Sequence, residues 1–252
     1  MTLVEIQDGI AWLIINRKEK LNAINRALLS ELNERFTAFK ADPNVKIIVL
    51  TGSGSKAFVA GADITEFSSF NKLEGRDLSQ YGNEKVFNFI EKIGKPVIAA
   101  INGYALGGGL ELAMSCQIRI AATHAKMGLP EVSLGIIPGY GGTQRLPQLI
   151  GKGNAMEMIL TGKMIDAKHA LELGLVTHVV DGKKLLSKAA SIARNLLKSS
   201  PNALNNAITA VNAADQTAAG FNVEMDQFSN CFSTEDFKEG VQAFLEKRKP
   251  NF

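Results

Sequence analysis

The sequence predicts an α/β fold whose last third turns helical. Short apolar, β-rich runs alternate with helical periodicity as far as Gly128. From about residue 143 onward the pattern is mostly helical. No repeat of fixed period is visible. At 252 residues the chain makes one large domain, or one domain with a small appendage, and 46% hydrophobic residues is ample for a core. The expected division is a core over 1–195 and a helical region over 196–252.

Residues 3–7 and 10–15 read as strands joined by Asp8-Gly9, a dipeptide that tolerates the positive φ of a tight hairpin. Residues 25–40 read as a helix with Leu28, Leu29, Leu32, Phe36 and Phe39 on one face, ended by Asp42-Pro43. Lys46–Thr51 is a buried-strand run ending in Gly52, and 53–66 reads as a glycine-rich loop. Residues 68–83 are polar and poorly periodic, a variable loop or a frayed helix. A helix over 84–93 leads through Lys95-Pro96 into a strand at Val97–Ile101. A glycine triplet, a helix at about 109–115, a strand at 118–122 and a strand-like return into Gly128 follow. Asp166 is placed to cap a helix that runs to Leu173 and stops at Gly174. Val176–Val180 is a last strand, and 183–198, 201–213, 215–231 and 234–247 read as helices, with Pro201 suited to a first turn.

Composition excludes several function classes. The 28 basic and 25 acidic residues leave a net charge of +3, which gives no footprint for nucleic acid. Cys116 and Cys231 lack paired spacing, and His124, His169 and His178 lack ligand spacing, so neither a disulfide framework nor a metal site is expected. No apolar run reaches membrane-spanning length, so no membrane partner is expected. Met1–Ile6 enters a strand pattern without a basic, apolar leader, which reads as a cytoplasmic chain or a mature form already trimmed; the expected location is cytoplasmic.

The chemistry concentrates in three glycine-bearing segments. Gly107-Gly108-Gly109 stands between a strand and a helix, where helix-start N–H groups are unpaired and favour developing negative charge. The plainer reading is tight strand–helix packing; neither a phosphate-loop nor a dinucleotide spacing is met. Glu111 follows two residues later, where a glutamate also suits the helix dipole. Glu131 lies in Gly128-Leu129-Pro130-Glu131, where loop carboxylates are ordinarily solvated. Ala60-Gly61-Ala62 is a stretch of small residues that lets a substrate approach the main chain, or is simply a packed turn. Their co-occurrence, two carboxylates with two glycine loops, points to acid/base chemistry on the carbon chain of a thioester.

Three longer segments carry a resemblance: Ala57-Phe58-Val59-Ala60-Gly61-Ala62-Asp63-Ile64, Ile101 through Gly109, and Leu134 through Leu146 with its Pro138-Gly139-Tyr140-Gly141-Gly142-Thr143. Over nearly its whole length the chain resembles the crotonase (enoyl-CoA hydratase/isomerase) superfamily, most closely its enoyl-CoA hydratases. The resemblance implies a spiral of repeated ββα units and C-terminal helices that form a homotrimer, with two trimers commonly stacked into a homohexamer. It implies an oxyanion hole from the backbone N–H groups of Ala62 and Gly108. It implies that Glu131 exchanges a proton at C2, that Glu111 holds and activates water, and that the Gly139 N–H helps hold that water. The substrate is an acyl-CoA thioester, and no metal or redox cofactor is called for. Coenzyme A contacts are implied at Lys20 and Leu21, at Ala60, Asp63, Ile64 and Thr65, and at Phe228, Phe244 and Lys247, some of them from a neighbouring subunit.

The chain departs from its relatives at Lys18, often proline, at Thr65, often lysine, and at Gln117, often aspartate. The nearest rival activity is a Δ3,Δ2-enoyl-CoA isomerase, and specialised acyl-CoA hydratases or dehydratases are further rivals. Both glutamates together favour hydration over isomerisation. Some relatives bind RNA through a lysine-rich helix, but here 26–40 carries only Arg26, Arg35 and Lys40 against Glu31 and Glu34. A structural homologue without activity is disfavoured by the intact glutamate pair.

Overall fold

The computed structural model describes residues 1–214 and 218–252, apart from the side chains of Ala218 and Phe244. Strands β1 (Thr2–Gln7) and β2 (Ile10–Ile15) form an antiparallel hairpin, with Asp8 and Gly9 both at positive φ as the turn requires. Helix α1 (Arg26–Ala41) is capped by the Asn25 side chain, which accepts from the Leu28 N–H at 2.9 Å. It buries Leu28, Leu29, Leu32, Phe36 and Phe39, the face its periodicity marked.

Strand β3 (Ile47–Gly52) is buried at every position and is followed by the short strand β4 (Ala57–Val59). Helix α2 (Lys72–Gly82) runs through a π-helical segment, Asn83–Phe87, into α3 (Asn88–Glu91). The same strand–short strand–helix unit recurs as β5 (Val97–Ile101), β6 (Tyr104–Leu106) and α4 (Gly108–Ser115). Strands β7 (Ile118–Ala122) and β8 (Lys126–Gly128) begin it a third time. Helices α5 (Gly142–Ile150) and α6 (Lys152–Thr161), strand β9 (Ile165–Asp166), helix α7 (Ala167–Glu172) and strand β10 (His178–Val180) follow.

The five- and six-residue strands and the three-residue β10 form one sheet in the order β1-β2-β3-β5-β7-β10, parallel beyond the hairpin. The remaining short ones form a second, β4-β6-β8-β9. Each unit therefore steps from one sheet to the other, which makes the spiral. One core lies under α1 and the strands. A second lies against α8 (Leu185–Leu196), whose Leu185, Ala189 and Ala193 cover the opposite sheet face. Helices α9 (Pro201–Asn212), α10 (Ala218–Cys231) and α11 (Glu235–Leu245) complete the chain.

Several expectations shift. Within 53–66 lies β4, and 68–83 holds a regular helix. The Asn71 side chain accepts from the Leu73 and Glu74 N–H groups, and the Glu74 carboxylate accepts from the Asn71 N–H at 2.7 Å, a full capping box. Only Gly82 of α2 is buried, so the helix shows little apolar periodicity to read. The expected helix at 84–93 is part π-helical, and the last strand is shorter than expected. Residues 215–217, the expected start of the third C-terminal helix, lie outside the described residues. No described helix is long and apolar enough to cross a membrane.

Candidate active site

After β4 the chain passes Ala60, Gly61 and Ala62 beside Ile24. The Ile24 N–H donates to the Gly61 carbonyl at 2.8 Å, and the Asp63 N–H donates to the Ile24 carbonyl at 2.7 Å. The Ala62 N–H between them has no protein acceptor among the described residues. The second backbone donor lies at the start of α4. The Gly107 N–H donates to Gly128 and the Gly107 carbonyl accepts from Leu110 and Glu111, while the Gly108 N–H has no protein acceptor among the described residues. It is an unpaired donor at the positive end of a helix. Gly107 holds a φ of 50°, and a Cβ there would come within 2.8 Å of the Glu131 Oε1, so both the turn and its neighbour need glycine.

Glu111 is almost completely buried, with 1% of its surface exposed. Its Oε1 accepts from the Tyr140 N–H at 2.8 Å and the Gly142 N–H at 2.7 Å. Burial raises its pKa from 4.5 to about 7, helped by the charge of Glu131 and opposed by the Gly142 and Tyr140 hydrogen bonds and by Arg145. Glu131 is not in an open loop; it starts a 3-10 turn, Glu131–Leu134, and is buried. Burial pushes its carboxyl above the ordinary range as well. Its Oε2 is buried and has no hydrogen-bond partner among the described residues.

The Ala62 and Gly108 segments, both glutamates and Gly139 line one cavity of about 1100 Å³, and Ala60 and Ile64 line it too. Lys20 and Leu21 sit in and just after a 3-10 turn, and the Leu21 carbonyl accepts from the Ala60 N–H at 3.1 Å, which ties the two expected coenzyme segments together. Asn22 holds this loop: its Nδ2 donates to the Ala57 carbonyl at 2.9 Å and its Oδ1 accepts from the Arg17 N–H at 3.0 Å. Asp63 and Thr65 bond each other at 2.7 Å, and Asp63 pairs with Arg17 at 3.4 Å, so neither points into the cavity lining. Phe228 lies exposed on α10 against Phe232, and Lys247 lies exposed beyond α11; within one chain neither lines the cavity. Phe244 lies in α11, with its side chain outside the described residues.

Sequence reasoning missed the residues that fix this geometry. Arg145 is buried; it donates to the Tyr140 carbonyl at 2.9 Å and to Asn88 at 2.7 Å, and pairs with Glu91 at 2.9 Å. Tyr140 stacks on Phe87 at 4.7 Å. Gln117 occupies the position where aspartate was expected, accepting from the Val97 N–H at 2.9 Å and donating to the Glu91 carbonyl at 3.0 Å. It ties the end of α3 to β5.

Two backbone donors without acceptors among the described residues and two raised carboxylates around one cavity are groups of the kind suited to holding an oxyanion and moving protons. The match to the family model "Enoyl-CoA hydratase/isomerase" spans residues 5–252, and the chain belongs to that family. The chain is 47% identical over 252 residues to "Crotonyl-CoA hydratase" of Syntrophomonas wolfei subsp. wolfei, covering 99% of this chain and 96% of that protein. It is 46% identical over 251 residues to "Short-chain-enoyl-CoA hydratase" of Clostridium acetobutylicum, covering 98% of this chain and 95% of that one. The crystal structure of an enoyl-CoA hydratase from Bacillus anthracis superposes with a TM-score of 0.94 at 40% identity, covering 100% of this chain and 98% of that one.

Proposed function

We propose that this chain is an enoyl-CoA hydratase, adding water reversibly across the double bond of a 2-trans-enoyl-CoA to give the 3-hydroxyacyl-CoA. The observation that carries the reading is the pair of buried carboxylates in one cavity: Glu111 held by two backbone N–H groups, and Glu131 with an oxygen that no donor among the described residues meets. In this reading the thioester oxygen sits against the Ala62 and Gly108 N–H groups, which stabilise the charge that develops there. Such a donor is worth on the order of a hundred- to a thousand-fold in rate. Glu111, with the Gly139 N–H, positions water and takes its proton as oxygen bonds to C3. Glu131 delivers a proton to C2 as the enolate collapses. In the productive state Glu131 carries a proton and Glu111 does not; turnover leaves the proton on Glu111, and its return to Glu131 restores the pair.

The relatives' names favour a short acyl chain. Coenzyme A, part of the substrate rather than a cofactor, is assigned to Lys20, Leu21, Ala60, Asp63, Ile64 and Thr65, with Phe228, Phe244 and Lys247 approaching its nucleotide part, some of them from a neighbouring subunit. Residues 1–195 act as the catalytic core, and 196–252 as the assembly region of a cytoplasmic homotrimer or homohexamer. Exposed Phe221, Met225 and Phe228 on α10, at 63%, 59% and 67%, support that assembly.

The test is purified protein with crotonyl-CoA, following the conjugated enoyl-thioester absorbance and the product mass. The expected result is gain of one water. Turnover of a 3-enoyl-CoA to the 2-enoyl isomer, without any hydration of crotonyl-CoA, overturns the reading in favour of an isomerase.

A further inference from the structure

The Gly139 carbonyl and the Tyr140 N–H belong to one peptide group, and the fold grips that group at both ends. On the nitrogen side, the Tyr140 N–H donates to the Glu111 Oε1 at 2.8 Å. On the oxygen side, the Gly139 carbonyl accepts from the Ser79 hydroxyl at 2.5 Å and from the Asn83 Nδ2 at 2.9 Å. A trans peptide is planar and its C=O and N–H point in opposite directions. Fixing the oxygen therefore aims the N–H, and donors on the oxygen polarise the group so that the N–H becomes the stronger donor.

Ser79 and Asn83 stand four residues apart, one turn of helix, and so share a face. Asn83 opens the π-helical segment and also donates to the Ser79 carbonyl at 3.0 Å, which sets its own amide. Between them, Gly82 leaves the space that the Tyr140 ring fills, and Phe87 stacks on the ring's face. π-helical turns of this kind are frequent at functional sites because they re-aim side chains along a helix. The next peptide is gripped as well, since the Tyr140 carbonyl accepts from Arg145 at 2.9 Å.

We infer that Ser79 and Asn83 are positioning residues for the water-handling carboxylate: acting through the Gly139–Tyr140 peptide, they hold and strengthen the Tyr140 N–H bond to Glu111. This rests on the hydratase reading for its kinetic consequence, but not for its structural one. Removing the two donors weakens the N–H bond that favours the Glu111 carboxylate, so the Glu111 proton is held more tightly and the group ionises at higher pH. The other ionisable groups that bear on Glu111 are Glu131, Arg145 and the Tyr140 phenol, and these variants leave all three in place. A contact that served only to fasten the loop to the helix would lower the melting temperature without touching that titration.

The experiment uses full-length S79A, N83A, the double variant and S79T, each with and without E111Q. It measures kcat and KM for crotonyl-CoA, the melting temperature, and the ionisation midpoint of Glu111 by carbon-13 NMR in the ligand-free protein. The double variant is expected to lose about tenfold in kcat, the scale of a lost hydrogen bond to a charged or polarised partner. KM should change little, and the Glu111 midpoint should move upward. S79T keeps the hydroxyl and should keep the rate, and in the E111Q background the same alanine changes should cost nothing further. An unmoved Glu111 midpoint in the double variant, or an equal loss of kcat with and without E111Q, overturns the inference. Should the wild-type protein fail to hydrate crotonyl-CoA, the functional reading falls by itself, and the Glu111 titration still decides whether Ser79 and Asn83 act on it.

Discussion

Glu111 is a carboxyl that the fold keeps where its charge is expensive. Its pKa stands at about 7 against an ordinary 4.5, with burial as the main cause. Between those two pH values the folded protein holds a proton that the unfolded chain releases, so this residue's contribution to stability falls as pH rises through the window. Above it the ionised group costs on the order of 3 kcal/mol. Glutamine keeps an oxygen for the Tyr140 and Gly142 N–H groups and removes the charge. E111Q should therefore melt higher than wild type at pH 8, and the gap should close towards pH 5, as thermal denaturation will read; a lower melting temperature at pH 8 contradicts the account. In the proposed mechanism Glu111 is a reacting group, and stability surrendered at such a group is a common cost of function. At this scale the site was readable where chemistry sits beside glycine. Glu111 beside the triplet and Glu131 beside Pro130 both stood out. Ser79, Asn83 and Arg145 did not, because they grip backbone carbonyls or distant side chains. The Ser79 and Asn83 partners lie 60 and 56 residues away, and no local pattern marks such a pairing.

The element that matters most is also the one read least well. α2 is polar and exposed along most of its length, so hydrophobic periodicity gave it no signature, yet its capping box was present in the letters Asn71 and Glu74. The short strands β4 and β6 were similarly faint, since three residues look like loop when glycines flank them, whereas β8 was legible as the strand-like return into Gly128. α1, by contrast, was legible to its buried face, because that face packs on a core of the chain's own making. Gly82 tests how tightly α2 is docked. A Cβ there would lie 2.3 Å from the Tyr140 Cε1, and the ring cannot swing away freely because Phe87 stacks on it. Gly82→Ala should destabilise the protein by about 1–3 kcal/mol, as overpacking does. It should also lower turnover, since Tyr140 carries one of the two N–H groups on Glu111. A melting temperature and rate equal to wild type would show that α2 is not held against the 138–142 loop as described.

Across the whole molecule, each turn of the spiral carries the chain from one sheet to the other, and the segments proposed to be functional fall after the short strands of the second sheet. Ala62 follows β4, Gly108 follows β6 and Glu131 follows β8. Asn102 binds successive turns together: its Nδ2 donates to the Gly52 and Gly54 carbonyls at 2.8 and 2.7 Å. The repeat was legible only as strand–helix alternation, because its three copies share geometry rather than letters. The C-terminal helices leave apolar surface exposed, and replacing Phe221 and Met225 by aspartate should drive a trimer or hexamer of the 27.1 kDa chain to monomers in sedimentation. Wild-type protein sedimenting as a monomer contradicts that assembly. The account as a whole rests on two carboxylates sharing one reaction, and the most direct test is turnover of crotonyl-CoA by Glu131→Gln beside wild type, with folding and assembly checked in both. The variant should lose about a hundred- to ten-thousand-fold in kcat, the worth of a positioned acid/base group, while remaining folded. Hydration at the wild-type rate in a protein that lacks the Glu131 carboxyl would contradict the mechanism.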